Sequence, residues 1–79
     1  VASTRRSVVL YHAQGCHLCD RAREVLERVG AAYESVDITG DPELESRYRE
    51  WLPVVEIDGA RAFVYHVDES ALRRKLSQT

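Results

Sequence analysis

Two cysteines three residues apart, in Gly15-Cys16-His17-Leu18-Cys19-Asp20, are the only cysteines of this 79-residue chain. Such a pair can cycle between dithiol and disulfide, or it can give two ligands to a metal, because both chemistries use the Cys-x-x-Cys spacing. The setting favours the redox reading. An apolar run, Ser7 to Tyr11, comes before the pair, and a run of helical periodicity follows it. At a helix start, unpaired backbone N–H groups and the helix dipole stabilise an anion. Cys16 is therefore the expected nucleophile, since the thiolate is the reactive form and such settings lower the ordinary cysteine value of about 8.5 into the range of about 3.5–7.5. Cys19, one turn further and beside Leu18, is expected to be more buried and to act as the resolving thiol. In the expected cycle Cys16 attacks a substrate disulfide, and Cys19 then displaces the reduced substrate to leave a Cys16–Cys19 disulfide. No bound metal or organic cofactor is required, but an external thiol electron donor is.

The histidines leave alternatives open. Protonated, His17 would add positive charge beside Cys16 and make the couple more oxidising; equally, it reads as an ordinary exposed helix residue. His12 is close to the pair in sequence, with no direction fixed. His66 reads as a residue of the last strand.

The elements that must position these residues follow from periodicity. Ser7 to Tyr11 reads as a buried strand and His12 to Gly15 as a loop. Leu18, Ala22, Val25, Leu26 and Val29 recur at helical spacing, so a first helix is expected from about Cys16 to Val29, with Glu24 and Arg28 as an i,i+4 pair and Gly30 as its stop. Tyr33 to Ile38 is the second strand. Asp41-Pro42-Glu43 starts a second helix, to about Glu50. Pro53 opens a third strand, Val54 to Ile57. Asp58-Gly59 is a hairpin turn, and Arg61 to Val67 returns as a fourth strand. Asp68 caps a last helix carrying Ala71, Leu72 and Leu76. The order β-α-β-α-β-β-α implies a parallel first pair of strands with a right-handed crossover and a terminal antiparallel hairpin. The fold class is therefore α/β, a four-stranded mixed sheet with helices on both faces, in a single domain over 1–79 with its core at about 7–76.

Composition bounds the function. The chain is 44% hydrophobic and 30% charged, with a net charge of −2. That balance gives no electrostatic reason to expect nucleic acid or a membrane surface, and no apolar run approaches the ~20 residues of a membrane span. Residues 1–7 lack the apolar stretch of a signal peptide, so the cytoplasm is the expected compartment, where a purely structural disulfide would be reduced. The expected state is a monomer.

The strand Val8 to Tyr11, the Gly15-Cys16-x-x-Cys19 turn, Leu52-Pro53-Val54-Val55, the Asp58-Gly59 hairpin and the Asp68-Glu69 helix start together resemble the glutaredoxins. The resemblance is nearest to short glutaredoxin-like proteins carrying Gly-Cys-His-Leu-Cys, and it extends from about Ser7 to Leu76. It implies the thioredoxin fold and a cis Leu52–Pro53 bond. It also implies that Leu52 offers its backbone to an extended substrate, with Pro53 packed beside the dithiol. Trp51 is either half-buried structure or a groove residue; His66 and Asp68 are further groove candidates. Tyr11 reads as core. Departures from the family pattern bear on the donor. No lysine or arginine occupies residues 13–15, and Tyr65-His66 stand where glutathione-using members carry Gly-Gly. Glutathione or a thioredoxin-reductase-type system could then supply electrons. The substrate class is a disulfide-containing protein or a small-molecule disulfide. Two other readings remain: a metal or metallocluster binder using Cys16, Cys19 and His12, and a redox-sensing interaction module whose dithiol does not turn over.

Overall fold

The computed structural model describes residues 6–77; residues 1–5, most of the polar N-terminal stretch, and residues 78–79 lie outside the described residues, as does that part of the single-domain expectation. Eight elements follow in order: β1 (Val8–His12), α1 (His17–Val29), β2 (Glu34–Asp37), α2 (Pro42–Tyr48) continued by a 3-10 turn (Arg49–Trp51), β3 (Val54–Ile57), β4 (Ala60–Val64) and α3 (Glu69–Ser77). The strands form one sheet in the order β2-β1-β3-β4. β1 and β2 run parallel through the α1 crossover, while β3 is antiparallel to both β1 and β4. This is the mixed sheet that the element order implies.

Alternation along the central strands sends side chains to two separate cores. Val8 and Leu10 of β1 and Val55 and Ile57 of β3 join Ala22 and Leu26 of α1 and Leu72 of α3 on one face. Val54 points the other way and packs with Tyr48 at the end of α2, together with Ala13, Cys19, Ile38 and Leu52. Leu10, Leu26 and Leu72 are fully buried. Each contributes roughly 1.5–3 kcal/mol of transfer free energy. The first core holds α1 and α3 to the sheet, and the second holds α2 and carries the dithiol.

Local chemistry fixes the ends of these elements. Gly30, at φ +80°, takes the left-handed position after α1, and the amide of Ala31 closes on the Leu26 carbonyl at 3.0 Å. The Asp41 carboxylate accepts from the amides of Glu43 and Leu44, both at 3.1 Å, and Pro42 follows at the first helical position. Asp58 and Gly59, at φ +54° and +82°, make the two-residue turn between β3 and β4.

Several expected boundaries are corrected. Cys16 does not belong to α1 but caps it, with an extended backbone at φ −99° and ψ 104°. α2 gives way to the 3-10 turn after Tyr48, short of Glu50. β2 is confined to Glu34–Asp37, and β1 runs on to His12. β4 ends at Val64 rather than Val67, because Tyr65 turns to φ +67°, outside any strand geometry. His66 is therefore a turn residue, not a strand residue. Arg28 bonds Glu69 of α3 at 2.9 Å, in place of the expected partner Glu24, since α3 brings a carboxylate across to it. Leu18 is 48% exposed despite its place in the helical period, whereas Cys19 beside it is buried in the second core.

Candidate active site

The loop from β1 to α1 is short, and Gly15 at φ +74° supplies its left-handed corner. The Gln14 amide bonds Thr39 Oγ1 at 3.1 Å and ties this loop to the end of β2. Cys16 then occupies the N-cap. Its sulfur accepts from the Cys19 amide at 3.1 Å, and its carbonyl accepts from Asp20 at 3.2 Å. Cys16 and Cys19 form a disulfide, with their Cα atoms 5.2 Å apart. Their exposures differ sharply. Cys19 is 1% exposed and belongs to the second core, whereas Cys16 is partly exposed at its margin. An incoming sulfur would meet Cys16 first, while Cys19 is shielded but bonded to it. This is the asymmetry that the spacing implies.

The same core brings the Leu52–Pro53 segment to the dithiol, with Leu52, Cys16 and Cys19 all packed within it. The Leu52–Pro53 bond is cis, as the resemblance implies, and both residues are buried. The carbonyls on either side of Leu52 are taken: the Tyr65 amide donates to Trp51 O at 3.3 Å and to Pro53 O at 3.0 Å. The Leu52 carbonyl has no backbone hydrogen bond among the described residues. Trp51 is 40% exposed, its ring 6.0 Å from that of Tyr65, with the Arg61 guanidinium 5.8 Å above it. Tyr11 is partly buried and packs against the second core, its ring stacked on Tyr48 at 4.0 Å. A hydrogen bond to Tyr48, with burial behind it, pushes the Tyr11 hydroxyl up to about 12.

The three histidines go to different places. His17 is exposed on α1, beside Cys16 in sequence. The His12 ring meets Ser35 Oγ on β2 at 3.3 Å, and burial, reinforced by Arg23, lowers its affinity for a proton. Exposed His66 follows Tyr65, its amide on Val64 O at 2.6 Å. Asp68 Oδ2 accepts from the Ala71 amide at 2.9 Å and caps α3. Among the described residues, no three His, Cys, Asp or Glu side chains converge as a metal site, so Cys16, Cys19 and His12 do not form the trio that a metal reading needs.

Two features escaped the sequence. Leu18 and Tyr65, both 48% exposed, face a common groove of about 500 Å³ between α1 and the turn after β4. The departure of Leu18 from its buried stripe has no marker in a periodic pattern. A tyrosine at positive φ has none in any propensity scale.

Comparison with known proteins places this geometry. Residues 7–77 match the family model described as glutaredoxin-like domain (DUF836). The X-ray structure of a structural-genomics target protein from X. campestris is 38% identical with a TM-score of 0.79, over 89% of this chain and 95% of that one. An uncharacterized protein of Mycobacterium tuberculosis strain H37Rv is 31% identical over 85 residues, spanning 96% of this chain and 88% of its own length. A mutant thioredoxin from Halobacterium salinarum is 22% identical with a TM-score of 0.65, over 91% of this chain and 72% of that one. At that identity the likeness carries the fold alone, the thioredoxin fold.

Proposed function

This chain belongs to the glutaredoxin-like domain (DUF836) family, and we propose that it is a thiol–disulfide oxidoreductase that reduces protein or small-molecule disulfides. The observation that carries this reading is the pairing of a partly exposed Cys16 sulfur at a helix N-terminus with a buried Cys19, next to a cis Leu52–Pro53 bend.

The Cys16 thiolate attacks one sulfur of a substrate disulfide. A Cys16–substrate bond forms, the substrate S–S bond breaks, and the departing thiolate takes a proton from solvent. The Cys19 thiol loses its proton and attacks Cys16 Sγ. The mixed disulfide breaks, the second substrate thiol leaves, and the Cys16–Cys19 disulfide remains. Two electrons pass from the dithiol to the substrate, and an external thiol donor restores the dithiol. Leu52 presents its free carbonyl to the extended substrate, Pro53 packs beside the sulfurs, and Trp51 borders the groove. His17 is the candidate for tuning Cys16, and no bound cofactor takes part.

Ala13, Gln14 and Gly15 carry no positive charge towards a glutathione carboxylate, and Tyr65-His66 add side chains where a bare backbone would admit one. These departures favour a thioredoxin-reductase-type donor over glutathione. The protein acts as a cytoplasmic monomer, away from nucleic acid and membranes; among the described residues, no helix is long and apolar enough to cross a bilayer.

The deciding experiment equilibrates the protein in thiol–disulfide buffers, alkylates it and reads the mass. A reversible Cys16–Cys19 transition between about −120 and −280 mV, with turnover of a disulfide substrate, is expected. Failure to form or reduce the disulfide at any poise would turn the reading to a metal-binding or interaction module whose cysteine pair is inert in exchange.

A further inference from the structure

Tyr65 has a backbone that its own residue type disfavours. It lies at φ +67°, where a bulky L side chain is a genuine outlier. The His66 amide closes onto the Val64 carbonyl at 2.6 Å, so Tyr65 is the centre of a three-residue turn of the rare, positive-φ kind. Glycine would meet this backbone requirement without cost. Strain of this sort persists where the surroundings over-determine it, and it clusters at functional sites. Here the amide of Tyr65 already has a use, bridging the carbonyls of Trp51 and Pro53, but any residue supplies an amide. The ring is what glycine would lack.

That ring stands half-exposed beside Trp51 and borders the groove described above. Leu18, two residues from Cys16, lines the groove too, together with Ala22, Val25 and Val67. Leu18, Trp51 and Tyr65 are the exposed large hydrophobic residues among those described; Leu18 lies between the two cysteines in sequence, Trp51 two residues before the cis Pro53, and the Tyr65 amide is bonded to that bend. The charges of the wall are unequal in availability. Arg28 is engaged by Glu69 at 2.9 Å, and Glu24 lies on the same wall. Arg21, one helical turn below Leu18, has no carboxylate within ion-pair distance among the described residues. Arg61 is likewise without one, over the Trp51 ring.

We propose that Tyr65 is a specificity-determining residue, closing with Leu18 a groove that takes a polypeptide segment with an apolar side chain next to its reacting cysteine and a carboxylate beyond it, the latter met by Arg21. This rests on the oxidoreductase reading and names its substrate class. An apolar contact of this size discriminates by the order of tenfold or more.

The test uses the full chain, reduced, against symmetric disulfide dimers of three short peptides: Asp-Leu-Cys-Leu-Asp, Asp-Ser-Cys-Ser-Asp and Lys-Leu-Cys-Leu-Lys. Each rate is divided by the rate of the same dimer with dithiothreitol, which removes differences in intrinsic thiol reactivity. The Leu/Asp dimer is expected to react about tenfold faster than either of the others. Tyr65→Gly, which relieves the positive φ and keeps the amide, should bring the Leu-over-Ser ratio towards one, and Tyr65→Phe should keep it. Arg21→Gln should erase the Asp-over-Lys ratio while sparing the Leu-over-Ser ratio. Equal rates for the three dimers, or an unchanged Leu-over-Ser ratio in Tyr65→Gly, would overturn the proposal and leave the oxidoreductase standing. Reaction with none of the dimers would remove the oxidoreductase reading itself.

Discussion

The amide of Cys19 donates to the sulfur of Cys16 at 3.1 Å. The sulfur thus caps the helix on which its own partner lies, and the first turn of α1 is aimed at the atom that the proposed exchange makes negative. A thiolate there receives a charge-assisted hydrogen bond and the favourable end of the helix dipole. Cys19 has no such setting, being 1% exposed in an apolar cluster. In the reduced protein, iodoacetamide at neutral pH should modify Cys16 at least about tenfold faster than Cys19, because alkylation follows thiolate character and access. Peptide mapping by mass at early times reads the ratio. Equal modification, or Cys19 first, would reverse the roles assigned to the two sulfurs.

Removing either sulfur should divide the cycle at a different point. Cys16→Ser should lose turnover altogether, since no accessible thiolate remains. Cys19→Ser keeps the nucleophile without its resolver, so a mixed disulfide with substrate should persist and appear as an adduct on a non-reducing gel. An active Cys16→Ser, together with a Cys19→Ser that holds no adduct, would be incompatible with the two-step exchange.

The site was legible where chemistry depends on spacing along the chain. Cys16 and Cys19 are three apart, so any helix begun between them orders them as outer and inner sulfur. Asp41-Pro42 and Asp58-Gly59 each carry a local reason for the turn they make. What stayed hidden depends on tertiary neighbours. Glu24 and Arg28 have the right spacing on α1, but Arg28 turns to Glu69, which only the packing of α3 brings near. The apolar character of residues 61–67 suggests a continuous strand, whereas the chain turns at Tyr65, whose amide bridges Trp51 and Pro53. No nearest-neighbour rule contains that bond. Nor does periodicity reveal that Leu18 is left half-exposed.

Tyr48 joins the second core to the sheet through its hydroxyl, which donates to Glu56 Oε2 at 3.0 Å, while its ring stacks on Tyr11. Tyr48→Phe preserves the ring and removes the donor. The expected loss is about 1–2 kcal/mol for a partly buried bond to a carboxylate. In a domain of this size that lowers Tm by roughly 4–8 °C per kcal/mol. Thermal unfolding of the oxidised protein measures it, and the disulfide should still form. A Tm equal to that of the parent would mean that Glu56 finds an equally good partner in water.

Glu69 links α3 to α1 and to itself: Oε1 accepts from Arg28 at 2.9 Å and Oε2 from Arg73 at 3.0 Å. The hydrogen bond from Arg28, then that from Arg73, hold its carboxyl below the ordinary value of 4.5. A carboxyl depressed on folding contributes stability that is fully present above its unfolded value and is lost as pH falls through the folded one. The pairs are solvent-exposed, so their contribution is modest and shrinks with salt. Glu69→Gln should therefore lower Tm at pH 7 and make the fall in Tm between about pH 5 and pH 2 shallower than in the parent, because glutamine has no proton to gain. The acid limb should persist in part, since backbone hydrogen bonds hold Asp58, Glu45 and Asp37 below their ordinary values as well. Melting curves across that range at low salt separate the two slopes. Parallel curves would mean that Arg28 and Arg73 stabilise Glu69 no more in the folded chain than in the unfolded one, and that α1 and α3 are held by Leu26 and Leu72 without help from this pair.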